Sequence, residues 1–101
     1  MSPTLHINAN STGDDAIGTG GTAVAIPTTS AGRKPKRVLL TCSGGPVHYR
    51  PAISGQTFTA AQCPVLTPEG GGVTLWVQSF THVYFITAAG TALVRVTPLD
   101  G

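Results

Sequence analysis

The sequence predicts an all-β protein: a small antiparallel β-sandwich or jelly-roll-like domain carrying an extended N-terminal arm. Three observations support this. From Lys36 to Thr97 the chain is a series of short runs rich in Val, Thr, Ile and aromatic residues, types that pack well on a pleated surface. Gly and Pro punctuate those runs at short intervals, as turns require. No segment has the 3.6-residue apolar period of an amphipathic helix.

The elements follow in chain order. Residues 1–21 are rich in Ser, Thr, Asn and Gly and have no useful periodicity. They read as an arm that is ordered only where something holds it, and residues 22–101 read as the β-sandwich domain. Thr22–Pro27 is a short strand candidate, followed by a basic loop over Ser30–Pro35. Lys36–Cys42 is a strand with a continuous apolar middle, fit for burial on both faces or for crossing between sheets. Ser43–Pro46 is a turn, Val47–Pro51 a strand, and Gln56–Ala60 a further strand. Pro64–Pro68 is flanked by proline and suits only an edge. Gly70–Gly72 is a break. Val73–Gln78, His82–Ala88 and Thr91–Thr97 then read as a three-stranded meander.

Alternation chooses a register for that meander, because a one-residue slip moves every side chain to the other face. A three-residue turn at Ser79–Thr81 and a turn at Ala89-Gly90 place Trp76 opposite Tyr84 and Gln78 opposite His82. They also put Arg95 across from Tyr84, where a cation can rest on a ring. One face is then aliphatic, and the second carries Trp76, His82, Tyr84, Ile86, Leu93 and Arg95. That second face is too apolar for solvent. Either the chain's own N-terminal half covers it or a partner does, and the first reading has somewhat more weight. Trp, Tyr and Arg are enriched at the energetic centres of interfaces. The candidate interface set is therefore Trp76, His82, Tyr84 and Arg95, with Leu5 and Ile7 of the arm as a second anchor.

At 101 residues the chain buries only about 60–65 % of its unfolded surface, so its core is thin and association would support it. Charged residues make up 10 %, against about 25 % in ordinary soluble domains, and low charge is a poor defence against association. The net charge of +2 is too small to argue for nucleic acid. The basic residues Arg33, Lys34, Lys36 and Arg37 cluster beside a hydrophobic run. They read first as guards against edge pairing, second as a contact for an acidic protein, and third as a nucleic-acid site. No apolar stretch approaches the ~20 residues that span a bilayer, and no signal peptide is expected.

Nothing assembles into a catalytic, cofactor or metal set. Asp14-Asp15 reads as solvated charge on the arm, and Glu69 and Asp100 lie in Gly- or Pro-rich loops. His6, His48 and His82 have no metal-ligand spacing. Cys42 and Cys63 read as reduced, buried thiols. Ser43-Gly44-Gly45 and Gly18–Gly21 lack the full spacing of a phosphate loop. No enzymatic activity and no cofactor are expected.

The stretch from about Arg37 to Thr97, with HYRPA at 48–52, TAAQCPVL at 59–66 and VYFITAAGTALVRVTPL at 83–99, resembles small β-sandwich virion proteins of tailed bacteriophages. The closest class is the head decoration, or cement, proteins. The resemblance implies a non-catalytic structural protein at the capsid surface, made in the host cytoplasm. Its partner would be the major capsid protein, clasped around capsid symmetry axes by a dimer or trimer of the chain. It carries over no site residue. The rival expectations are a carbohydrate- or receptor-binding module of a phage tail or head fibre, using Trp76 and Tyr84, and a β-barrel for single-stranded nucleic acid.

Overall fold

The computed structural model describes residues 15–29 and 32–99. They form eight strands: β1 (Asp15–Ile17), β2 (Thr22–Ala25), β3 (Arg37–Ser43), β4 (Val47–Ala52), β5 (Val65–Leu66), β6 (Val73–Trp76), β7 (His82–Ile86) and β8 (Ala92–Pro98). Two four-stranded antiparallel sheets contain them. Sheet I has the order β1-β8-β3-β6, and sheet II the order β2-β7-β4-β5. The expected all-β sandwich is the fold.

The pairing follows one rule. β1 pairs with β8, β2 with β7, β3 with β6 and β4 with β5. This is a single long hairpin folded back at β4–β5 and rolled up. The roll is closed by β3–β8 in one sheet and β4–β7 in the other. Such double winding is the jelly-roll pattern, in which two packed sheets share one core.

Each strand's alternation explains the core. Val38 and Leu40 of β3 and Val94 and Val96 of β8 point inward from sheet I. Val83 and Phe85 of β7 and Val47 of β4 meet them from sheet II. Ile17, Val24, Leu66 and Val77 complete the layer. The Cys42 thiol reaches across it from β3 to the Leu66 carbonyl of β5, at 3.5 Å.

The predicted meander is corrected. β6 and β8 lie in sheet I, and β7 lies in sheet II. Trp76 therefore pairs with Arg37, and Tyr84 with Ala23 and Arg50. The apolar middle of β3 is the reason. Val38–Leu40 takes β6 on one side and β8 on the other, with Val38 opposite both Leu75 and Pro98. The chain between β6 and β7, and again between β7 and β8, spends its five residues crossing from sheet to sheet.

Two further expectations change. Residues 56–60 form no strand. They lead into a 3-10 turn at Ala60–Gln62, in which Gln62 Oε1 accepts from the Thr59 N–H at 2.9 Å. Thr59-x-x-Gln62 is a helix-start signature, and it prevails over the alternation. Within the segment assigned to the arm, residues 15–17 form β1 at the edge of sheet I. Leu5 and Ile7 lie outside the described residues.

Candidate docking interface

Sheet I presents an outward face built by alternation. Inward Val38 and Leu40 force Arg37, Leu39 and Thr41 outward. Their cross-strand partners Trp76, Thr74, Thr97 and Arg95 share that face. Trp76 is 61 % exposed and Leu93 39 % exposed; Ile53 and Val65, on the β4–β5 side of sheet II, are 47 % and 51 % exposed. The Arg37 guanidinium lies 5.7 Å from the centroid of the indole it faces. That geometry favours attraction between the cation and the ring. Arg95 and Leu93 rim a small depression with Thr41 and Ser43.

The basic loop adjoins this face. Thr29 closes the base of the loop: its carbonyl accepts from Gly32 N, and its N–H donates to the Arg33 carbonyl at 2.7 Å. Pro35 is fully buried. Lys34 Nζ donates to the Gln78 carbonyl at 3.1 Å, just beyond β6. Arg33, Lys34 and Lys36 are exposed, whereas Arg37 is half-buried. The described carboxylates lie elsewhere, Asp15 on the opposite edge strand and Glu69 in the 3-10 turn Pro68–Gly70.

Sheet II has a different outer face. Tyr84 and Ile86 point away from the core yet are only 4 % and 9 % exposed. Phe58 and Ala60 of the loop before β5 cover them. Phe58 meets Tyr84 edge-on, with centroids 5.6 Å apart and planes at 76°. The Arg50 guanidinium caps Phe58 at 4.2 Å from its centroid and donates to the Gln62 carbonyl at 3.3 Å. An open groove of about 670 Å³ runs beside these rings, lined by Thr19, Thr57, Thr59 and Thr87.

The structure thus divides the four sequence-predicted residues. Trp76 and Arg95 share the outer face of sheet I. Tyr84 and His82 belong to sheet II, with Tyr84 packed inside the chain's own fold. The cation expected over Tyr84 is not Arg95. Arg50 stands opposite Tyr84 and rests on Phe58. Sequence reasoning missed Phe58, Arg50 and the Arg37–Trp76 pair. The alternation of VHYRPA already placed His48, Arg50 and Ala52 on one face, and that signal was enough to find Arg50.

The His and Cys side chains have structural partners. His48 Nδ1 donates to the Cys63 carbonyl at 3.1 Å, and His82 Nδ1 lies 2.8 Å from the Thr81 hydroxyl. Both thiols are free. Burial pushes the Cys42 thiol above its ordinary range, and Glu69 adds to that shift. Burial likewise raises Cys63, and Arg50 opposes it. A protonated thiol is a poor nucleophile, so neither is activated. Among the described residues, no group of three or more His, Cys, Asp or Glu side chains converges on a common point.

Comparison of the chain with family models, with curated proteins and with solved structures finds no match.

Proposed function

We propose that the protein is a virion structural protein of the decoration type. It would sit on the outer surface of a capsid and stabilise the lattice of major capsid proteins by burying apolar sheet surface, with no reaction to perform. The observation that carries this reading is the outer face of sheet I, where Trp76 and Leu93 stand in solvent beside Arg37 and Arg95. The jelly-roll strand order supports it but is shared by capsid, lectin and cupin domains, so the weight rests on the face. Trp76 braced by Arg37 has the makings of an interface hot spot, with Leu93 and Arg95 around it. At ~25 cal/mol per Å², a few hundred Å² of apolar contact gives a large gross term, reduced by the entropy of association. Repetition around a symmetry axis multiplies a modest contact.

The test is to add purified protein to capsids that lack it and image them by electron microscopy. The proposal expects stoichiometric, symmetric decoration that Trp76→Ala abolishes. Protein that stays free in solution defeats it.

One observation favours a second reading, a carbohydrate-binding module on a phage fibre. The groove of sheet II combines aromatic Phe58 and Tyr84 with four threonines, a lining suited to a neutral polyhydroxylated ligand. A glycan array decides this: selective retention by one sugar supports it, and a blank array removes it.

A further inference from the structure

We propose that β6 is a pairing edge for a second copy of this chain, giving a twofold dimer with one continuous eight-stranded sheet. A sandwich of two four-stranded sheets has four edge strands, here β1, β6, β2 and β5. An exposed edge invites another strand unless it is short, charged or interrupted by proline. β1 has three residues and carries Asp15. β5 has two residues, between Pro64 and Pro68. On β2 the Ile26 N–H bonds inward to the Thr81 carbonyl, so the outward positions are Ala23, Ala25 and Pro27, and Pro27 has no N–H. β6, Val-Thr-Leu-Trp, has no charge, proline or glycine, and unlike β2 its next outward position, Gln78, is not a proline.

The hydrogen-bond phase shows which groups of β6 are open. Val77 N donates to the Lys36 carbonyl at 2.9 Å, and Leu99 N to the Arg37 carbonyl at 3.0 Å. Even-numbered residues of β3 therefore bond to β6 and odd-numbered ones to β8, as antiparallel alternation requires. On β6 it follows that Val73 and Leu75 turn their backbone groups to β3. Thr74 and Trp76 turn theirs outward. The next outward carbonyl, that of Gln78, is taken by Lys34. Within β6 the open groups are thus those of Thr74 and Trp76, each with one donor and one acceptor.

That edge is complementary to itself. In an antiparallel β6–β6 pairing centred on Leu75, Thr74 of each copy faces Trp76 of the other. Two hydrogen-bonded pairs then flank one non-bonded pair, which is a regular ladder. No other segment is needed to satisfy the exposed groups, and this argues for a second copy as the occupant. Charge does not oppose it. The two Arg37 residues, each beside its own Trp76, would lie roughly 16 Å apart by strand spacing and rise, beyond the ~8 Å screening length. The pairing is isologous and closed. It leaves both indoles on the same outer face, doubling the surface proposed above for docking, but it stands or falls independently of that reading.

The test uses sedimentation velocity over a concentration series, with Thr74→Pro as the probe. The Thr74 N–H points to the open edge, so proline there removes an outward donor and spares the ladder to β3. Wild type is expected to pass from monomer to dimer as concentration rises. Thr74→Pro should remain monomeric with an unchanged far-UV spectrum, and Thr74→Val should dimerise like wild type. The Trp76 amide should gain protection from hydrogen exchange in step with dimer formation. Wild type that stays monomeric throughout overturns the proposal, as does a dimer indifferent to Thr74→Pro. If the proline variant does not fold, the Trp76 amide in wild type decides, and exchange independent of concentration rejects the pairing. Decoration of capsids by monomeric Thr74→Pro separates this outcome from the fate of the docking face.

Discussion

Replacing Trp76 by alanine and, separately, Tyr84 by alanine distinguishes an interface ring from a core ring. Trp76 is 61 % exposed, leaving 39 % buried. With ~250 Å² for a tryptophan, that is ~100 Å², or ~2.5 kcal/mol at ~25 cal/mol per Å². The area retained by alanine and the compactness of real unfolded chains lower this to about 1–1.5 kcal/mol. Loss of the Arg37 contact adds about 0.5 kcal/mol. Tyr84 is 4 % exposed, so ~200 Å² are lost, or ~5 kcal/mol before the same reductions. With its edge contact to Phe58 the expected cost is about 3–5 kcal/mol. Tyr84→Ala should therefore destabilise the fold about twice as much as Trp76→Ala. Equilibrium urea unfolding reads this directly. Far-UV circular dichroism must be the probe, because Trp76 is the single tryptophan. Against a partner the order reverses: Trp76→Ala should weaken docking by a factor of ~30 or more, the scale of a hot spot. Equal stability costs for the two variants would place the indole inside the fold and refute the reasoning.

Other outcomes follow from single contacts. Gly21 has φ +76°, and a Cβ there would overlap the Tyr84 hydroxyl. Gly21→Ala should cost about 2–4 kcal/mol from backbone strain and overpacking together, and Gly20→Ala, with open space around it, should cost under about 1 kcal/mol; thermal unfolding compares them. Arg50→Ala should cost about 0.5–1 kcal/mol by uncovering Phe58, with Arg50→Lys recovering part of it, as denaturant titration would show. Burial raises both thiols above their ordinary value of 9.0. Folded protein should then react with iodoacetamide more slowly than urea-unfolded protein near pH 8. The sign for stability follows: the unfolded chain ionises first, so the contribution is complete below pH 9.0 and is lost as pH rises through the higher folded values. Thiol labelling as fast in the folded state as in the unfolded contradicts this.

Strand positions were legible in the sequence because alternation and turn residues are local. The runs Thr22–Pro27, Lys36–Cys42, Val47–Pro51, Val73–Gln78, His82–Ala88 and Thr91–Thr97 each hold a strand. Partners were not legible. A period of two assigns each side chain to a face but says nothing about which strand lies beside it. The link between Trp76 and His82 is long enough either to turn back as a hairpin or to cross the sandwich. What separates these outcomes is non-local: β3 holds β6 and β8 on its two sides. A meander would have taken β8 from it. The same gap explains the divided site. The outer face of β7 is apolar because residues 56–62 lie over Tyr84 and Ile86. That cover depends on a loop in which the Thr59-x-x-Gln62 signature competes with the β-type run at 56–60. Alternation placed Trp76 on the second face but left open whether the chain or a partner covers it, and its cation depended on knowing the β3–β6 register.

The central claim is that the face of sheet I bearing Trp76, Arg37 and Leu93 is the one that binds. A map of the decorated particle by cryo-electron microscopy, at a resolution that shows side chains, tests it most directly. The account predicts the indole of Trp76 buried against capsid protein, with the Phe58 side of sheet II turned to solvent. Density showing Trp76 in solvent, or the Phe58 side against the shell, would contradict it.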